Sequence, residues 1–318
     1  MVSERTALLG TLTGAAFWGL SGTAAQAVFQ GYGFPVVGLV TIRMLVSGAI
    51  LFLIVRPRFP RDQWKSLLLL AIFGFLGIQL AYLLAIAFSN AVTATLLQFL
   101  FLPIVVAYEM ISGVHRWSWG WGAILGLAMI GTVFLVGGVP GLSFHFLVTI
   151  PALAFGLLSA VCAAYYTLGS RSFVRSRGSW WVTTWGFLLG GLVSAPLGGI
   201  QLVDYRLPPT GTGLEGLGLL LVFIILFGTV LGYGLFLSGL RRLSATEIGV
   251  AAAAEPVVAA GATYAFLGVT LGPVQYVGGG LIVVAVVMLA FRSPSPSPEG
   301  SREASSPGRD PPSGRLLP

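Results

Sequence analysis

Charge is what this chain has least of. Only 8% of its 318 residues are charged, whereas a soluble domain carries roughly 25% to keep its surface hydrated, and a water-soluble globule is thereby excluded. Lys65 is the only lysine. The net charge of +7 comes from arginines scattered between apolar runs or gathered in the tail, so no nucleic-acid partner is expected. Cysteine is almost absent too: Cys162 stands alone in an apolar segment, which rules out an intramolecular disulfide and marks it as a small packing residue. A G-x-x-x-x-G-K-[ST] phosphate loop is missing, so ATP does not drive the protein directly. Paired Asp-rich segments of the kind that hold magnesium in intramembrane transferases are missing as well. No enzyme activity, cofactor or metal site is expected.

What fills the chain is hydrocarbon. Hydrophobic residues make up 56%, and the mean hydropathy is +0.93. A helix needs about 20 apolar residues to cross a bilayer, and such runs occur ten times, at about 7–29, 36–55, 67–88, 91–112, 118–138, 147–169, 180–200, 216–240, 246–267 and 274–291. The first is too long for the core of a cleaved signal sequence. The weakest separation is Ser89–Asn90, where only a tight hairpin can part the third and fourth spans. Alternate loops carry Arg56, Arg58, Arg61, Lys65, Arg116, Arg171, Arg175, Arg177, Arg241 and Arg242, and the opposite loops carry Arg206 alone. The positive-inside rule then places both termini in the cytoplasm. Residues 293–318 are rich in Pro, Ser and Gly and read as a disordered cytoplasmic tail.

The two halves echo each other. "YLLAIAFSNAVTATLLQFLFLPIVVAYEMISG" (82–113) parallels "YGLFLSGLRRLSATEIGVAAAAEPVVAAGATYAFLG" (233–268). In each, a tyrosine near the end of one span precedes a small-residue helix with a central proline, Pro103 or Pro256. Five spans per half is odd, so the halves, 1–138 and 139–292, must cross the membrane in opposite senses. That is the architecture of many secondary transporters, with the substrate held near midplane where the repeats meet. "FWGLSGTAAQ", "IRMLVSG", "SNAVTATLLQFLFLPIVVA", "GLRRLSATEIGVAAAAEPVVA" and "LGVTLGPVQYVGGGLIVVAVVML" resemble the drug/metabolite transporter superfamily, and within it the EamA-type transporters. The resemblance covers about residues 7–291 and implies an all-α membrane protein of ten helices in two inverted five-helix repeats. "FWGLSG" and the A-T-x-L-Q-x-L-x-x-P run also resemble the subset containing LicB-type choline permeases. Where members often carry a Gly-Glu pair, this chain reads "SGV" (112–114) and "LGV" (267–269), so no role for that glutamate is carried over.

Candidate binding residues follow from what is costly in hydrocarbon. An ionised carboxylate facing lipid costs ~3 kcal/mol, yet Glu255 sits near the middle of the ninth span, beside Pro256. A proline cannot donate a backbone hydrogen bond, so Pro103 and Pro256 free a carbonyl one turn earlier and tend to bend their helices. A carboxylate there suits a cation, an amine or a proton; the alternative is an interhelical hydrogen-bonding group. Trp18, Tyr82, Tyr165, Tyr166 and Tyr233 lie within spans, away from the interfacial belts. Aromatic faces near a carboxylate form a cage for quaternary ammonium groups, with packing as the alternative for each ring. Arg43 is the only basic residue well inside a span. It holds a substrate carboxylate, or it pairs with a carboxylate such as Glu255. Gln98 is a candidate polar liner. Trp117, Trp119, Trp121, Trp180 and Trp181 stand at span ends and read as interfacial anchors. "GLSG" (19–22) matches the G-x-S-G of intramembrane serine proteases, but His115 and His145 fall in loops on opposite sides and leave it without a base.

The sequence thus predicts a plasma-membrane carrier working by alternating access on a small metabolite. The choline-permease subset and the aromatics favour choline or another amine. Arg43 favours amino-acid or metabolite export. Protons are a candidate coupling ion, and the oligomeric state is not legible.

Overall fold

The computed structural model describes residues 4–113, 118–137, 148–209, 211–239 and 251–292, and among them all regular structure is helical. The helices are α1 (Glu4–Tyr32), α2 (Val36–Val55), α3 (Trp64–Phe88), α4 (Ala91–Ile111), α5 (Trp119–Gly137), α6 (Ile150–Gly169), α7 (Ser179–Asp204), α8 (212–239), α9 (Ala254–Leu267) and α10 (Pro273–Arg292), with a short helix Arg171–Arg177 between α6 and α7. Six of them (α2, α3, α4, α6, α7 and α8) are long and apolar enough to cross a membrane, and α5 and α10 carry shorter apolar stretches. Helix α1 is long but less greasy, because Thr11, Ser21, Thr23 and Gln26 on it are buried against protein. The expected start of the ninth span at about 246, Trp117, His115, Arg241, Arg242, Glu247 and the tail lie outside the described residues.

The hairpin between α3 and α4 is built by its polar pair. Asn90 caps α4, its Oδ1 accepting from the Thr93 N–H at 2.9 Å, which satisfies a donor that the helix start leaves free. Gln26 of α1 satisfies another, accepting from the Ala91 N–H at 2.8 Å. At the start of α7, Trp181, expected as an interfacial anchor, packs against protein. It is buried, and its indole N–H donates to the Arg58 carbonyl at 2.9 Å, because a buried indole needs an acceptor. Trp121 is also buried, whereas Trp119 is exposed.

Exchanging the first five helices with the last five carries the main helix pairings into one another. Three helices pack on their own counterparts: α2 on α7, α5 on α10 and α4 on α9. The others trade places, so that α3 on α6 corresponds to α8 on α1, and α4 on α6 to α9 on α1. The α5–α10 contact is close because it is made by glycines: a Cβ at Gly131 would stand 2.7 Å from the Gly278 carbonyl oxygen. One core is drawn from α1, α2, α3, α7 and α8, with Ala91 and Ala94 of α4; a second comes from α4, α5, α6, α9 and α10. Each core takes helices from both halves of the chain.

Two kinds of backbone irregularity recur in corresponding helices. Helices α3 and α8 each contain a π segment, Leu70–Leu76 and Leu226–Leu231. Helices α4 and α9 are disturbed one turn before their prolines. In α4 the helix breaks at Phe99–Leu100, and Leu100 (φ −61, ψ −10) stands three residues before Pro103. In α9 the turn falls at Ala253 (φ −64, ψ −11), three residues before Pro256. The missing proline N–H leaves the carbonyl four residues back without its helical donor; at Phe99 that carbonyl accepts instead from the Leu102 N–H at 3.2 Å.

Candidate functional site

A cavity of about 470 Å³ lies between the two cores, walled by α1, α2, α3, α4, α6, α8 and α9. Seven of the eight candidate binding residues line it: Trp18, Arg43, Tyr82, Gln98, Tyr166, Tyr233 and Glu255. Its wall continues past Ser170 and Val174 to Ser179, so the cavity reaches the α6–α7 connection, where Arg171, Arg175 and Arg177 are found.

Three of the polar liners, Arg43, Tyr82 and Gln98, are held by neighbouring helices. Arg43 Nε donates to Thr229 Oγ1 at 2.7 Å and Nη2 to the Gly228 carbonyl at 3.4 Å. Both acceptors, a side-chain hydroxyl and a backbone carbonyl, belong to the π segment of α8; Thr229 itself donates to the Ile224 carbonyl at 3.0 Å. The Tyr82 hydroxyl is 2.9 Å from Thr95 Oγ1 on α4. Gln98 Oε1 accepts from Ser159 Oγ on α6 at 3.1 Å. Glu255 is buried, 8% exposed, and makes no side-chain hydrogen bond to any described residue. The described residues contain the ion pair Arg177–Asp62 at 3.9 Å but none within 4.0 Å between Arg43 and Glu255. The two ionisable groups share a cavity without being spent on each other.

Aromatic rings form a connected wall. Trp18 meets Tyr233 edge-on at 5.0 Å and Phe236 at 4.6 Å. Tyr233 continues to Phe187 at 5.3 Å, Phe187 to Phe75 at 5.4 Å and Phe75 to Tyr166 at 4.9 Å. Tyr165 is elsewhere. Adjacent helical residues diverge by about 100°, and Tyr165, 40% exposed, lines a separate cleft of about 290 Å³ with Gln63, Ser66 and Ser176. Pro103 and Pro256 are not among the liners; they act on backbone beside the cavity, where Phe99, Ala252 and Glu255 line it.

Helix α1 approaches α9 closely at Gly19. A Cβ there would stand 2.6 Å from the Glu255 carbonyl oxygen, so the backbones of α1 and α9 touch, as small residues permit. Among the residues outside the sequence-derived set that belong to this region are Thr229, which anchors Arg43, and Ser21 and Phe236, which line the cavity. The available signals were slight: Thr229 is the one aliphatic hydroxyl in "FIILFGTVLGYG", and Ser21 follows Trp18 by three residues, hence on the same helix face.

The EamA-like transporter family model matches the chain twice, over residues 5–137 and 150–291. The chain belongs to the EamA-like transporter family. It is a multi-pass membrane protein of a family of small-metabolite transporters. It is 30% identical over 307 residues to the uncharacterized inner membrane transporter YicL of Salmonella typhimurium, covering 92% of this chain and 98% of that protein. It is 28% identical over 268 residues to the threonine/homoserine exporter RhtA of Escherichia coli, covering 82% and 83% respectively. A solved crystal structure, 18% identical, superposes with a TM-score of 0.61 over 91% of this chain and 99% of its own; at that identity the likeness is one of fold.

Proposed function

We propose that this EamA-family carrier moves a small zwitterion of the amino-acid class across the plasma membrane by alternating access between its two repeats, residues 1–138 and 139–292. The observation that carries the reading is the coexistence of Arg43 and Glu255 in one cavity without an ion pair between them. A buried charge is costly unless paired, and a ligand with one carboxylate and one ammonium offers each its complement. The likeness to a threonine/homoserine exporter supports the same class. With the basic loops on the cytoplasmic side, the cavity reaches the cytoplasmic end of the bundle, as an inward-facing carrier requires. Glu255 is also the group best placed to exchange a proton during the cycle.

A second reading is supported by the ring wall of Trp18, Tyr233 and Tyr166 near Glu255: choline or another quaternary amine, held by cation–π contacts. A thermal-shift screen of the purified protein against the standard amino acids, choline and simple amines separates the two. Stabilisation by amino acids and not by choline supports the first reading; stabilisation by choline alone overturns it. Saturable counterflow in proteoliposomes is the matching functional readout, whereas ohmic conductance would indicate a channel.

A further inference from the structure

A polar group buried without a partner is expensive, and folded proteins satisfy nearly all of theirs. In this cavity the Tyr82 hydroxyl, the Gln98 carbonyl oxygen and the Arg43 guanidinium are bonded to protein. Trp18 Nε1 and Ser21 Oγ are not: both atoms are buried, and neither has a hydrogen-bond partner among the described residues. Both residues line the cavity, and their spacing of three puts them on one face of α1.

Ser21 is the more telling of the two. A hydroxyl in an apolar helix ordinarily bonds back to the carbonyl four residues earlier. On α1 Thr11 does so to Ala7 at 2.9 Å, Thr13 to Leu9 at 2.7 Å and Thr23 to Gly19 at 3.2 Å. Ser21, 1% exposed, does not. Both donor atoms lie against glycines of α8. A Cβ at Gly228 would collide with Ser21 Oγ, and one at Gly232 would stand 2.9 Å from Trp18 Nε1. The helix turn that carries the two donors also packs beside the elements that carry the charged groups. Gly19, on the turn between them, packs on the Glu255 carbonyl, and Gly228, against Ser21, is the residue whose carbonyl receives Arg43 Nη2.

We propose that the Trp18 indole N–H and the Ser21 hydroxyl form a carboxylate subsite, each donating to one oxygen of the substrate carboxylate, while Glu255 receives the ammonium and Arg43 supplies positive charge behind the carboxylate. Two donors one turn apart match the two oxygens of a carboxylate. An amine without a carboxylate would leave both unsatisfied. The inference rests on the zwitterion reading and assigns it specific atoms.

The test uses the purified full-length chain and two probes: the amino acid giving the largest thermal shift, and the amine that differs from it only by loss of the carboxyl group. Trp18→Phe keeps a ring and removes the N–H, and Ser21→Ala removes the hydroxyl; the two report independently should one variant fold poorly. Each is expected to weaken amino-acid binding about tenfold, as loss of a hydrogen bond to a charged group does, while amine binding changes by less than about twofold. Equal losses for both probes, or no loss for either, overturn the subsite and leave the zwitterion reading standing. Wild-type protein that binds the amines but no amino acid overturns that reading, and the subsite with it.

Discussion

Glu255 and Arg43 are the residues on which transport is expected to depend most. Glu255→Gln keeps the size of the side chain and removes its charge, so the protein should stay folded in the membrane while transport falls about tenfold or more, the scale of a lost charged contact. Uptake or counterflow at wild-type rate in that variant would remove Glu255 from the site. Tyr165 and Tyr166 offer an internal control. Tyr166→Ala opens the ring wall against Phe75 and should impair transport, whereas Tyr165→Ala, at a cleft outside the cavity, should leave initial rates within about twofold, a surface-scale change. Both charged residues were legible in the sequence because charge inside an apolar span is rare and expensive. Tyr165 was not separable from Tyr166, since adjacent letters do not reveal which way a helix is rotated. Ser21 and Thr229 were invisible for a different reason: hydroxyls are common in such helices and usually satisfy themselves, so only the tertiary structure shows that Ser21 does not and that Thr229 also receives Arg43.

Among elements, the irregular helices are those around the cavity. The α4 and α9 interruptions stand one turn before Pro103 and Pro256 and follow from the prolines alone. The π segments of α3 and α8 have no such letter code; that of α8 carries the two oxygens that hold Arg43. At the edge of the bundle the α5–α10 pair depends on close backbone approach. Gly278→Val places a side chain where a Cβ already comes within 2.6 Å of the Gly131 carbonyl oxygen, whereas Gly280, on the same helix, has open space. Thermal unfolding in detergent should show Gly278→Val destabilised by about 1–3 kcal/mol, the usual scale of overpacking, with Gly280→Val close to wild type. Equal melting temperatures would mean that the two helices can separate at little cost.

For the whole molecule, the pairing of helices across the two halves about one cavity is the architecture on which the proposed alternating access rests. The direction in which the cavity opens can be tested by labelling. In a Cys162→Ala background, Ser179→Cys should react with a membrane-impermeant thiol reagent applied from the cytoplasmic side and be protected from the outside. Labelling from the outside alone would reverse the proposed orientation.

The sequence by itself determined that the chain is a ten-helix membrane protein with an internal repeat, because in hydrocarbon every backbone polar group must be bonded within a helix and apolar length then counts the spans. It also singled out Arg43 and Glu255, since each is costly wherever it sits within a span. Only the tertiary structure decided that they share a cavity without pairing, that Tyr165 turns away from it, and that Ser21 and Trp18 keep their donors free. Those outcomes depend on the rotation and close approach of helices far apart in the chain, and glycine contacts such as Gly19 on Glu255 and Gly228 on Ser21 are specified only when both partners are in place.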